Sequence, residues 1–117
     1  MMAIIWGLAL AGCQSTDCPD LARQAAGLVD AASSCEAGEV CEVVAMGSLV
    51  SGSCIGAFQC VSALNADIDK DDFRRMAKTI EKKHSSCGVC VMAGCVGPDS
   101  FVAQCNSDKG RCELVMK

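Results

Sequence analysis

From residue 20 onward, apolar residues recur at helical spacing: Leu21, Ala25, Leu28, Val29 and Ala32 fall on one face of a helix predicted over 19–33. Pro19 suits its first turn, where a missing N–H costs nothing, and Ser33-Ser34 and Gly38 mark its end. Residues 39–46 are rich in β-branched side chains and bounded by glycines, which predicts a strand. A Gly/Ser loop over 47–53 leads to a second strand over 54–61. Within that loop, Leu49 and Val50 are apolar and either touch a partner or fold back on the core. A second helix is predicted over 69–84. Phe73, Met76, Ala77 and Ile80 share one face, aspartates crowd the N-terminal end, and Arg74, Arg75, Lys78, Lys82 and Lys83 follow toward the C-terminal end. Asn65 or Asp67 is its candidate cap, and Asp71 with Arg75 its candidate i,i+4 ion pair. In the last third, Gly97-Pro98 makes a turn. Two short strands flank Asn106-Ser107-Asp108-Lys109-Gly110, turn chemistry that wants glycine at a left-handed position and predicts a hairpin over 101–115. The pattern is that of a small α+β domain with two helices and two antiparallel hairpins.

The cysteines change this picture most. There are 11 in 117 residues, with only three Phe, one Trp and no Tyr. So few bulky side chains cannot build a deep core at this length, and crosslinks must supply part of the stability. Each bridge contributes about 2–4 kcal/mol. Charge excludes another class. Ten Lys and Arg against 14 Asp and Glu give a net −4 with no basic run, so nucleic acid is a poor partner.

The N-terminal pattern is of a different kind. Ala3 to Ala11 is an unbroken apolar run, too short at about 1.5 Å per residue to cross a hydrocarbon core about 30 Å thick, and of the length of a secretory h-region. It closes on Leu10-Ala11-Gly12-Cys13, which resembles the lipobox of bacterial lipoproteins. The resemblance implies that residues 1–12 are a signal peptide, that Cys13 carries a thioether-linked lipid and palmitate, and that 13–17 form a lipidated tether. The domain is then 18–117, anchored to a membrane of the cell envelope. Gln14, where Asp would retain the chain at the inner membrane, directs it to the outer one.

Parity agrees with export. Eleven cysteines are odd. Setting Cys13 aside leaves Cys18, Cys35, Cys41, Cys54, Cys60, Cys87, Cys90, Cys95, Cys105 and Cys112, an even set that an oxidising compartment can close into five bridges. On the order of a thousand pairings are possible, and sequence does not choose among them. The helices, the Cys35 to Cys41 spacing, Asn65, the Cys87/Cys90 pair and the Cys105, Gly110, Cys112 hairpin together resemble small cysteine-rich Gram-negative lipoproteins of unassigned activity. That resemblance brings no catalytic residues.

Other chemistry competes with simpler readings. Asp67, Asp69 and Asp71 have EF-hand spacing, but Asp72 stands where the loop needs glycine and Lys78 where it needs a bidentate Glu. His84, Cys87, Cys90 and Cys95 are a candidate zinc set, and Cys87-Gly88-Val89-Cys90 a candidate redox motif. Export favours bridges instead, with Cys87 and Cys90 going to different partners and pinning the second helix to the C-terminal hairpin. His84 is the only histidine, and no serine near it sits in an elbow motif. No metal, cofactor or catalytic residue is assigned. The expectation is a non-enzymatic envelope lipoprotein with a structural or binding role and an unidentified protein partner. The alternatives are a metal or redox protein using Cys87 and Cys90, or an inhibitor-like module presenting 47–53 to a protease.

Overall fold

The computed structural model describes residues 18–87, 90 and 94–117. The first helix, α1, covers residues 18–32. Its inward face is the predicted one: Leu21, Ala25 and Ala32 are buried and Leu28 and Val29 half-buried, at spacings of three and four. The helix stops at Ser33, whose buried hydroxyl bridges the Val29 and Ala63 carbonyls at 2.9 and 2.8 Å. The chain then runs beside the end of the molecule. The Cys35 amide donates to Gly110 at 3.0 Å, and the Cys112 amide donates to Ser33.

Strand β1 (Cys41–Ala45) pairs antiparallel with β2 (Val61–Asn65), Cys41 opposite Asn65 and Ala45 opposite Val61. The first hairpin is therefore longer than expected, and its return strand begins where the predicted one over 54–61 ends. Ile55 and Phe58 explain the difference. Both are buried, and a spacing of three on one side needs the 3-10 turn at Gly56–Phe58 rather than an alternating strand. Between the strands, Met46–Leu49 forms a one-turn helix, α2. Leu49 and Val50 are buried at 5% and 1% exposure, so the apolar pair of the loop folds inward.

Helix α3 (Lys70–His84) starts on Asp69, whose carboxylate accepts the Asp72 amide at 3.0 Å. Neither expected cap is used. Asn65 ends β2 instead, where its amide donates to the Ser34 carbonyl and its oxygen accepts the Asp67 amide, both at 2.9 Å. The expected Asp71–Arg75 pair is replaced by i,i+3 pairs, Asp71 with Arg74 at 3.0 Å and Asp72 with Arg75. Phe73 and Ala77 are buried and Ile80 half-buried, but Met76 is 43% exposed, at the margin of the face rather than in it. A second hairpin joins β3 (Phe101–Asn106) to β4 (Arg111–Met116), and Gly110 takes the left-handed conformation its turn requires, φ +69°.

Two cores result. The larger gathers Ala25 and Ala32 of α1, Met46 and Leu49 of α2, Val50, Ile55 and Phe58 of the following loop, Leu64 of β2, and Phe73 and Ala77 of α3. At its centre the Phe58 and Phe73 rings meet edge to face, centroids 6.0 Å apart. The smaller lies where the hairpins stack, β1 across β3 and β2 across β4, and contains only Cys35, Ala63 and Cys112 as buried residues.

Candidate functional site

The most distinctive chemistry among the described residues is in the ten cysteines from Cys18 to Cys112, all of which are joined in disulfides. Three bridges span the chain at nearly constant separation: Cys18–Cys87, Cys35–Cys105 and Cys41–Cys112 close 69, 70 and 71 residues. Cys54–Cys90 and Cys60–Cys95 close 36 and 35. All five have Cα separations between 4.7 and 6.0 Å, within the reach of a disulfide.

Cys87 and Cys90 do take different partners, as expected, but the C-terminal hairpin is not one of them. Cys87 fastens the end of α3 to the first described turn of α1, and Cys90 fastens the following segment to the loop after α2. Cys105 and Cys112 stand directly opposite each other on β3 and β4 yet do not bond together; each crosses to the other layer. The Sγ atoms of Cys35, Cys41 and Cys105 consequently lie within 4.8 Å of one another. This sulfur cluster escaped sequence reasoning because Cys105 joins Cys35 and Cys41 only through the stacking of the hairpins, which no local spacing reports. As disulfide sulfurs they offer no thiolate to a metal.

The other candidates are absorbed by the fold. Among the described residues, His84, Cys87, Cys90 and Cys95 are not gathered as a ligand set, and the three cysteines are closed in three separate bridges. Half-buried His84 lines a cleft of about 220 Å³ with Glu81, Ser85, Ile55, Gly52 and the Cys54–Cys90 bridge. The Ser85 hydroxyl donates to the Lys82 carbonyl at 2.8 Å, so its one proton is not given to His84. Asp69 caps α3, and Asp71 and Asp72 in its first turn pair with Arg74 and Arg75. In the loop 47–53, Gly47, Ser48, Ser51 and Gly52 are exposed, while the side chains a protease pocket would take are turned in.

One carboxylate is electrostatically tuned. A hydrogen bond from the Asn106 amide at 3.0 Å holds half-buried Glu113 below its ordinary value against the opposing effect of desolvation, with smaller help from Lys109 and Arg111. It supports the β3–β4 turn.

No helix among the described residues is long and apolar enough to cross a membrane. Cys13, the segment 1–12 and the tether lie outside the described residues. Comparison with known proteins yields no match to any family model, curated protein or solved structure. The class is therefore defined by the structure alone: a small disulfide-rich α+β protein with two stacked hairpins.

Proposed function

We propose that this is an exported lipoprotein of the bacterial cell envelope, anchored through Cys13 and carrying a non-enzymatic, disulfide-stapled domain with a structural or binding role at the outer membrane. The observation that supports it best is the bridge set. Every cysteine from Cys18 to Cys112 has a partner in the fold, and the eleventh is the residue at which the lipobox would place a lipid. Five bridges in one small domain suit an oxidising compartment and not the cytosol. The tether of residues 13–17 would hold the domain within about 18 Å of the lipid. Palmitate labelling tests the anchor. Wild-type chain should label and sediment with membranes, and Cys13→Ala should do neither. Undiminished labelling of the variant removes the anchor from Cys13.

A metal or redox protein working through Cys87 and Cys90 is the alternative. It would need both the Cys18–Cys87 and the Cys54–Cys90 bridges open at once, and a free-thiol count on native protein separates the two readings.

A further inference from the structure

The ten Lys and Arg of this acidic chain are not spread evenly: six lie on α3, as Lys70, Arg74, Arg75, Lys78, Lys82 and Lys83. The first three are answered by carboxylates, Lys70 by Glu42 at 2.5 Å, Arg74 by Asp71 and Arg75 by Asp72. Lys78, Lys82 and Lys83 are exposed and make no ion pair among the described residues. Lys78 and Lys82, four apart, extend the stripe of Arg74 and Arg75 along the side of α3 opposite Phe73 and Ala77.

The Cys18–Cys87 bridge decides what this end of the helix faces. Its Cα atoms are 5.9 Å apart, so the point where the tether joins the domain is fixed against the end of α3. Lys83 and Lys82 precede Cys87 by four and five residues, about 6–10 Å along the axis, and Lys78 by nine, about 14–18 Å. A lipid on Cys13 is separated from Cys18 by five residues, a reach of about 18 Å. The three unpaired lysines therefore share the end of the domain from which the chain leads to Cys13. The sequence 13–17 carries one acidic residue, Asp17; among the described residues Asp20 is engaged by Arg23 at 3.4 Å, and half-buried Glu81 lines the cleft beside His84.

We infer that the C-terminal half of α3 is a membrane-facing surface that binds anionic phospholipid headgroups through Lys78, Lys82 and Lys83, orienting the domain on the bilayer. The inference rests on the lipid anchor at Cys13. Each lysine at an anionic surface strengthens the contact about fivefold, within a screening length of about 10 Å at 0.1 M salt. Three together make an oriented state dominant over free tumbling on the tether, and leave the stacked hairpins pointing away from the membrane.

The test uses full-length acylated protein in vesicles of phosphatidylcholine alone or mixed with phosphatidylglycerol. Amines are modified with a membrane-impermeant acylating reagent and read by peptide mass spectrometry. Lys78, Lys82 and Lys83 should be protected several-fold in the phosphatidylglycerol vesicles only, and high salt should abolish the protection. Lys109 and Lys117, on and after the second hairpin, should label equally in both. The double variant Lys82→Glu/Lys83→Glu, on exposed positions, should lose the protection of Lys78. Equal labelling in both lipids, by protein whose intact mass shows the acyl chains, overturns the inference and leaves the anchor standing. A mass without acyl chains overturns both. Protection in intact envelopes but not in phosphatidylglycerol vesicles assigns the lysines to an acidic protein or polymer and overturns the lipid assignment.

Discussion

The two cores of this molecule are held by different physics. Around α1, α2 and α3, ten buried residues pack together with an aromatic pair at the centre, an ordinary hydrophobic core on a small scale. Between the stacked hairpins the buried set shrinks to Ala63 and the sulfurs of Cys35 and Cys112, with the Cys35–Cys105 and Cys41–Cys112 bridges running through it. Alanine and cystine bury little apolar area, so at about 25 cal/mol per Å² this layer cannot hold itself together by burial alone. In one chain, side-chain bulk and covalent crosslinks substitute for one another. Where the helices supply Phe, Met and Leu, the bridges mainly fasten segment ends; where the strands supply small residues, the bridges are the core.

The largest effect should come from breaking that substitution. Replacing Cys41 and Cys112 together by serine opens a 71-residue loop, and the chain-entropy account puts the loss at roughly 4 kcal/mol. Amide exchange should rise across β1, β3 and β4 before it rises in α3. If α3 and the hairpins lose protection together, the two regions are one cooperative unit and the contrast fails. Phe58→Ala attacks the other side. Its ring is fully buried, so denaturant titration should show a loss of about 3–5 kcal/mol, while Met76→Ala on the same helix bundle, at a 43%-exposed position, should cost about 0.5 kcal/mol or less. Asp69→Ala removes the side-chain cap of α3 and should cost about 1 kcal/mol.

The smallest effect is confined to the second hairpin. Because the Asn106 hydrogen bond and the nearby cations keep Glu113 below its unfolded value, the carboxylate stabilises the turn above the ordinary carboxylate range. That contribution is lost as pH falls through the lowered folded-state value. In NMR titration, Asn106→Ala should move the Glu113 midpoint upward, toward the ordinary value; an unmoved midpoint would assign the depression to Lys109 and Arg111 instead.

What was legible from sequence follows the same division. Periodicity carried both main helices, because Leu21, Ala25, Leu28, Val29 and Ala32, and again Phe73 and Ala77, satisfy one local rule and the tertiary packing agrees with it. The second hairpin was legible from turn chemistry at Asn106 to Gly110. Strand β2 was misplaced because Ile55 and Phe58 are spaced for a 3-10 turn, and only the position of α3's Phe73 shows why both must face the same way. The pairing of cysteines about 70 residues apart was illegible in principle. It depends on which layers stack, and the adjacent Cys105 and Cys112 show that even sharing a hairpin does not decide it. For the site, sequence located the cysteines and the basic end of α3, but only the Cys18–Cys87 bridge brings that end to the first described turn of α1.

Thiol counting on native protein tests the central claim, that bridges stand in for side-chain bulk, most directly. Alkylation of the denatured, unreduced chain should add no label, and reduction before alkylation should add ten, with peptide mapping recovering Cys18–Cys87, Cys35–Cys105, Cys41–Cys112, Cys54–Cys90 and Cys60–Cys95. An eleventh label after reduction would show Cys13 unlipidated. Two or more labels before reduction would contradict the account, because an open pair among these cysteines leaves the small-residue layer without the crosslink that holds it.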